Sequence, residues 1–371
     1  MRPKKYTKIA EELTELIVNG QLGPGAQIPS QHELTRQYDV SRSCVQKALD
    51  LLAERGLVDK KPGKGVFVKS ASEPGESPGR ALGLLMPTSK PVTPTPQDSF
   101  GVETLWGIEE AVRERGLNLV LRRHDRYGSF DDIAAVLAGM EVGGLVVDRD
   151  FPDACLRTAV VAGLPLVVAG RLCSVPGVGC TVPNFYDYIY QTIHALDEHG
   201  TGRVALFYPA PHDYGPEALG AVSRLAGEGR RIVVDAIDVF GGREPYDPTL
   251  EEQLVKELVG KMVDDDALPD VIICVSDWTA ARVLEVLNAR AVPVPGRVGL
   301  IGGLGIAIAA QMSPTISSLV VDSRALGCRA VEILTDMVFD NQPSRIERLP
   351  LTLVERESFR FNHSAGTTES G

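Results

Sequence analysis

No run of about 18 apolar residues occurs in the 371 positions of the chain, so no segment is expected to span a membrane. The basic opening, MRPKKYTKIAEEL, has neither an apolar core nor a small-residue cleavage site behind it, and a secretory signal peptide is not expected. The six cysteines, Cys44, Cys155, Cys173, Cys180, Cys274 and Cys328, include no CxxC pair. Reduced thiols in or near cores are expected rather than disulfides or a metal site. Neither GxGxxG nor GxxxxGK followed by Ser or Thr is present at a strand-to-helix turn; GGLG and the Gly177–Gly179 stretch fall short of both. No G-x-S-x-G elbow sits at such a turn either. His194 and His199 are five apart, off the i, i+4 spacing that puts two zinc ligands on one helix face. These absences argue against an enzyme, a cofactor and a metal ion, and a cytoplasmic location is expected.

What is present is an ordinary globular composition, 44% hydrophobic and 23% charged, in a chain long enough for two or three domains. The charge is uneven. Residues 1–70 hold 12 Lys+Arg against 8 Asp+Glu, whereas the remainder holds 26 against 41. A small cationic module on a large acidic one implies that the first part faces a polyanion and the second does not.

The cationic part reads as three helices and a hairpin. Ile9, Leu13, Leu16 and Ile17 form one helical stripe ending at Gly20, and Gly23, Pro24 and Gly25 break the helix. Ser30 and Glu33 spell a capping box for a second helix. Ser41 is an N-cap for a third, which stops at Gly56. LVDKKPGKGVFVK then reads as strand, turn, strand, with Pro62, Gly63 and Gly65 in the turn and Lys60, Lys61 and Lys64 at or near its tip. The third helix, VSRSCVQKALDLLAERG, carries Val45, Ala48, Leu49 and Leu52 on one flank and Arg42, Ser43, Gln46 and Lys47 on the other. This is the pattern of a winged helix-turn-helix that offers its polar flank to the DNA major groove. Ser41 and Ser43 suit phosphate at a helix N-terminus. Arg42 and Gln46 are long enough for base edges, Arg suiting guanine and Gln adenine. Lys64 suits a backbone or the minor groove. An ordinary solvated face is the competing account, which the wing and the charge asymmetry disfavour.

Nearly the whole of this segment, from YTKIA through IVNGQLGPGAQIPS to VSR, ALDLLAERGLV and GKGVFV, resembles the DNA-binding domain of GntR-type bacterial regulators. The resemblance implies DNA contacts from Arg42, Ser43, Gln46 and the wing around Gly63, Lys64 and Gly65; Ser30, His32, Ser41, Lys47 and Lys61 are further candidates for contact with DNA. Two departures stand out. Gln31-His32 replaces a common Glu-Arg, and Gln46 replaces a common Arg, so the operator is expected to differ from the commonest sites of the family.

Ser70–Arg80, rich in Ser, Gly, Pro and Glu, reads as a solvated linker. From residue 81, short Val/Leu/Ile runs alternate with helical patterns in two successive series, as in parallel sheets covered on both faces. Ligands in such sheets bind beyond the carboxyl ends of the strands. The residues expected there are Pro87, His124, Asp125, Asp148, Arg149, Arg171, Tyr208, Asp277, Gly302 and Gly303. The stretches GIEEAVRERGLNLVL, GGLVVD, GLPLVVAGR, PDVIICVSDWTA, VPGRVGLIGG and SPTISSLVVDSRALGCRAVEIL resemble the effector domain of LacI-type repressors, itself similar to periplasmic sugar-binding proteins. The resemblance implies that Arg171 and Asp277 hydrogen-bond a sugar from opposite lobes. Phe100 and Trp278 suit an apolar face for its ring and equally suit packing, and His124, Asp125 and Arg149 are effector candidates as residues that close strands. LIGGLGIA lacks a common acidic residue, Pro183 replaces a common Asp, and SKPVTPTPQDSF is an unusual insert.

The expected architecture is therefore an α+β winged helix-turn-helix over 1–69, a linker over 70–80, an α/β two-lobed domain of doubly wound parallel sheets over 81–360, and a disordered tail over 361–371. The chimera resembles the class that joins a GntR-type reader to a LacI-type sensor, as the arabinose-responsive repressors of some bacteria do. It implies a homodimer on double-stranded operator DNA under the control of a small molecule, with a large domain that only dimerises, or binds a non-sugar ligand, as the alternative.

Overall fold

The structure, a computed structural model, describes residues 5–18, 21–23, 25–54, 57–68, 81–87, 99–124, 140–151, 153, 156–157, 160, 163–208, 214–239 and 248–361. The expected linker, Pro24, the helix-ending Gly20 and Gly56, residues 88–98, Asp125, Cys155, most of the helical patterns at 130–140 and 154–163, and the tail from 362 onward lie outside the described residues.

Helix α1 (Lys5–Val18) buries Ile9, Ala10, Leu13 and Ile17, with Leu16 partly buried beside them. Helix α2 (Gln31–Tyr38) opens on the capping box read from the sequence: Ser30 Oγ accepts from the Glu33 amide and Glu33 accepts from the Ser30 amide. Such a cap contributes about 1 kcal/mol. Helix α3 (Arg42–Glu54) starts after Ser41, whose Oγ accepts from the Cys44 amide at 3.3 Å. Val45, Leu49 and Leu52 are fully buried against the other two helices, each contributing roughly 1.5–3 kcal/mol. Strands β1 (Val58–Lys61) and β2 (Gly65–Val68) pair antiparallel with Lys61 opposite Gly65. Ile28 and Val68 extend the hairpin to the 25–28 segment, the Ile28 amide donating to Val66 O and the Val68 amide to Ala26 O. Gly65 is fixed twice over. Its φ is +118°, and a Cβ there would sit 2.6 Å from Gln27 Nε2, whose amide donates to Lys64 O at 3.1 Å and braces the wing turn.

The large domain has two six-stranded sheets. The first comprises β3 (Ala81–Pro87), β4 (Asn118–His124), β5 (Leu145–Asp148), β6 (Leu166–Ala169), β7 (Gly179–Pro183) and β13 (Ile346–Leu349), in the order β13-β7-β6-β5-β3-β4 and all parallel. The second comprises β8 (Arg203–Tyr208), β9 (Val233–Asp238), β10 (Val271–Cys274), β11 (Gly299–Leu304), β12 (Ser317–Val321) and β14 (Leu351–Val354), in the order β14-β12-β11-β10-β8-β9, with only β14 antiparallel. Buried Val, Leu and Ile in β5, β6, β8 and β10 are what a strand covered on both faces requires. The covering helices are α4 (Ser99–Glu114), α5 (Phe185–Glu198), α6 (Tyr214–Gly227), α7 (Pro248–Asp264), α8 (Asp277–Ala289) and α9 (Ser323–Phe339).

The chain passes between the sheets three times, at Pro183–Phe185, Val321–Ser323 and Leu349–Leu351. Two crossings are bonded together, the Asn184 amide donating to Leu349 O at 2.8 Å. Helix α9 thus returns to pack on α4 so closely that a Cβ on Gly107 would lie 2.0 Å from Arg324 O, and one on Gly327 2.1 Å from Thr104 O. Only glycine permits that approach. No helix among the described residues is long and apolar enough to cross a membrane.

Candidate functional site

The polar flank of the small domain gathers the residues expected there. Ser30, His32, Ser41, Arg42, Ser43, Lys47, Lys61, Gly63, Lys64 and Gly65 are all exposed. Ser30 and Ser41 stand at the N-termini of α2 and α3, and Ser41 Oγ and Ser43 Oγ lie 3.0 Å apart. Lys61 lies over the Phe67 ring, 5.2 Å from its centroid. Gln46 differs from the others. It is half-buried and hydrogen-bonded on both sides, accepting from Gln31 Nε2 and donating to Asp50 Oδ1 at 2.7 Å. Asp50 is in turn paired with Lys60 of β1. Sequence reading named Gln31 only as a departure and did not reach Asp50. Its signal was the i, i+4 spacing from Gln46, which puts the two side chains on one helix face.

In the large domain the carboxyl ends of both sheets face each other, and the lobes touch there. Tyr214 Oη at the start of α6 donates to Gly170 O beyond β6 at 2.6 Å. The Ala307 amide of the second lobe donates to Ser99 Oγ at the start of α4 at 3.3 Å. Arg348 of β13 pairs with Glu217 of α6, and the Tyr214 ring packs on Phe185 with centroids 4.6 Å apart. Neither Tyr214 nor Ser99 was a sequence candidate, because neither closes a strand.

Several expected site residues have other work. Asp277 does not end a strand; it is the first residue of α8, with Ser276 as N-cap, and it is 0% exposed. One carboxylate oxygen accepts from the Ile306 amide at 2.6 Å. The other is buried without a hydrogen-bond partner, 2.1 Å from where a Cβ on Gly302 would lie. Gly302 and Gly303 are interior to β11, and Gly302 leaves room for that carboxylate rather than lining the cleft. Burial pushes the Asp277 carboxyl up to about 7, against the pull of the Ser318 hydroxyl, the Ile306 amide, the Arg356 charge and the Gly305 amide.

Arg171 is engaged within the first lobe. Its guanidinium donates to the carbonyls of Arg149 at 2.8 Å, Leu172 at 2.6 Å and Phe151 at 2.5 Å, and pairs with Asp153 at 2.8 Å. It ties the loop after β5 to the loop after β6. Arg171 and Asp277, which the resemblance implies to grip a ligand from two sides, hydrogen-bond to backbone groups of the first and second lobe respectively.

On sequence alone Phe100 suits either a ligand ring or core packing. It is buried, close to Gly170, and one ring face is covered by the Arg149 guanidinium at 4.1 Å. A cation over a ring is worth roughly 0.5–2 kcal/mol. His124 ends β4, and its Nε2 is buried without a hydrogen-bond partner among the described residues. Trp278 is half-buried and packs on the core shared by α5, β8 and β10. Asp125 lies outside the described residues. Of the sequence candidates, Arg149 and Phe100 meet beside Gly170, where Tyr214 reaches across from the second lobe.

Comparison with known proteins matches this architecture piece by piece. Residues 5–68 match the gntR family of bacterial regulatory proteins, and residues 193–359 match the periplasmic binding protein-like domain. The arabinose metabolism transcriptional repressor of Geobacillus stearothermophilus is 21% identical over 356 residues, covering 92% of this chain and 93% of that protein. The HTH-type transcriptional regulator TreR of Bacillus subtilis is 29% identical over 154 residues, covering 41% of this chain and 60% of that protein. Among solved structures, the complex of the transcriptional regulator CelR with cellobiose superposes with a TM-score of 0.63 at 22% identity, covering 86% of this chain and 92% of the other. The lac repressor dimer bound to operator and the anti-inducer ONPF superposes with a TM-score of 0.60 at 14% identity, covering 76% and 94%. The chain is a transcriptional regulator in which a winged helix-turn-helix domain of the gntR family precedes a periplasmic-binding-protein-like domain of the LacI-type fold.

Proposed function

We propose that the chain is a ligand-controlled repressor that binds a two-half-site operator as a homodimer, with a sugar or sugar derivative between the lobes as effector. The observation that carries this reading is how the lobes meet. Two lobes joined by three crossings face each other with their strand ends, and among the described residues they touch through hydrogen bonds from Tyr214 and to Ser99 and through the Arg348–Glu217 pair. Polar contacts of this kind can be exchanged as the lobes move, and a small molecule that binds one arrangement better shifts the balance. DNA contacts fall to the exposed residues at the starts of α2 and α3 and to the wing; effector contacts fall to His124, Arg149 and Trp278. One winged domain buries too little surface for tight specific binding, hence the dimer. The printed identities of the similar proteins, an arabinose metabolism repressor and a regulator solved with cellobiose, support a sugar.

A second reading is favoured by one observation. Arg171 and Asp277, the charged pair expected to hold hydroxyls, are both bonded internally. A large domain that takes a non-sugar ligand, or only dimerises, would have no need of them in the cleft. Thermal denaturation of the full chain against pentoses, hexoses, disaccharides and sugar acids separates the two. At about 100 times Kd a ligand stabilises by roughly 2.7 kcal/mol, which is several degrees at roughly 2–4 °C per kcal/mol. A shift by one sugar, reduced in Arg149→Ala, is the expected result. No shift by any sugar would favour the second reading.

A further inference from the structure

Four side chains on the DNA-facing side of the small domain form one continuous relay: Lys60 of β1, Asp50 and Gln46 of α3, and Gln31 of α2. Its direction is dictated by chemistry at one end. An ammonium has only donors and an ionised carboxylate only acceptors. Lys60 holds Asp50 in that ionised form, its hydrogen bond keeping the carboxyl below the usual range with help from Gln46. Gln46 must therefore turn its Nε2 toward Asp50, where the distance is 2.7 Å. Its Oε1 then faces Gln31, which has to answer with its own Nε2. An unanchored glutamine amide could flip; this one has a single sense.

The inventory left on Gln46 is one N–H and one lone pair. In the major groove adenine presents an acceptor, N7, beside a donor, the N6 amino group. One donor and one acceptor of fixed sense match that edge. We infer that Asp50, held by Lys60 and relayed through Gln46 to Gln31, is the positioning residue that sets the base preference of the recognition helix, holding the Gln46 amide in the sense that reads adenine. This rests on the reading of the small domain as a sequence-specific DNA binder and adds to it residues that never need to touch a base. The two departures from the common GntR pattern, at positions 31 and 46, are thereby one feature, since they bond to each other.

The test is binding-site selection from a random duplex library by the full chain, comparing wild type, Gln46→Ala, Asp50→Ala and Asp50→Asn, with circular dichroism to confirm folding. Wild type should select an adenine at one position of each half-site, and Gln46→Ala should lose it. Asp50→Ala should lose discrimination at that same position by roughly 5- to 150-fold, the range of one bidentate pair. Asp50→Asn is the conservative control: Lys60, which has only donors, still holds an oxygen at the place where Lys60 and Gln46 both donate to Asp50 Oδ1, so this variant should keep the preference for adenine. A merely structural role for Asp50 would leave the selected base unchanged in Asp50→Ala. Identical selected sequences for wild type and Asp50→Ala would overturn the inference, as would a wild-type site with no position dependent on Gln46. Failure of the wild type to select any sequence would instead overturn the DNA-binding reading, and the inference with it.

Discussion

Asp277 provides a measurable consequence of the difference between lining a cleft and holding its wall. The perturbation is pH, with Asp277→Asn as the reference. The carboxyl titrates near 3.8 when unfolded and is raised to about 7 in the folded chain, burial being the main cause. A raised acid pKa means that the folded state binds the proton more tightly, so the group's stabilisation is present in full below pH 3.8 and is lost as pH rises through 7. One unit corresponds to 1.36 kcal/mol, so the whole interval amounts to about 4 kcal/mol, of which about 3 kcal/mol falls between pH 4.5 and pH 7.5.

Asparagine cannot ionise. It keeps an acceptor for the Ile306 amide but places an amino group where the buried oxygen has no partner, at a cost of about 1–3 kcal/mol. The variant should therefore be the less stable of the two at pH 4.5 and lose that disadvantage by pH 7.5. At about 2 °C per kcal/mol, the low end for large domains, the gap between the two melting midpoints should move by roughly 6 °C across that range. Every other titrating group is common to both proteins, so the difference isolates this one. Parallel midpoint curves would refute the reasoning, because they would require an Asp277 that ionises normally in the folded state. Retention of the effector response by Asp277→Asn is the functional counterpart, since the side chain reaches the cleft only through the Gly305–Ile306 loop it anchors.

Arg42→Ala should weaken operator binding by roughly 5- to 150-fold in fluorescence anisotropy while leaving the ligand-induced melting shift intact; equal loss of both would contradict the division of labour between the domains. Tyr214→Phe keeps the ring on Phe185 but deletes the 2.6 Å bond to Gly170 O, so effector affinity should fall by about 3- to 10-fold, the worth of one hydrogen bond, in isothermal calorimetry. Unchanged affinity there would mean that this contact does not help to close the cleft. Gly107→Ala puts a Cβ 2.0 Å from Arg324 O, and forcing α4 from α9 should cost about 1–3 kcal/mol, read as a lowered melting midpoint of the large domain.

What the sequence could disclose, and what it could not, divides by range. The capping box at Ser30 and Glu33, the stripe Ile9, Leu13 and Ile17, and the turn at Gly63 and Gly65 are local, and their physics is complete within a few residues. The two parallel sheets follow from alternating apolar runs. The three crossings do not, because β13 and β14 are neighbours in the chain yet join different sheets, β13 beside β7 with Ile346 opposite Cys180 and β14 beside β12 with Leu351 opposite Val321. Side-chain direction was the other blind spot. Arg171 and Asp277 have the right types beside the right strands, yet which way each points is decided by nearby carbonyls at 149, 151 and 172 and by the amide of Ile306. A pattern of residues cannot contain that information, since backbone polar groups are the same at every position.

The internal use of those two charges alters what an effector has to do. The lobes bond directly to each other through Tyr214 and Ser99. Under the proposed control, a ligand that favours this arrangement has leverage only on the fraction of molecules that depart from it. Moving that balance tenfold requires 1.4 kcal/mol of preference for one arrangement, which is the scale of one or two hydrogen bonds. Binding to one lobe alone, however tight, contributes nothing to that preference unless the other lobe is touched as well or its contacts are displaced. Under the proposed control by a small molecule, an effective ligand is therefore one that touches both lobes, and the Tyr214–Gly170 and Ala307–Ser99 contacts mark where the two come within reach of each other.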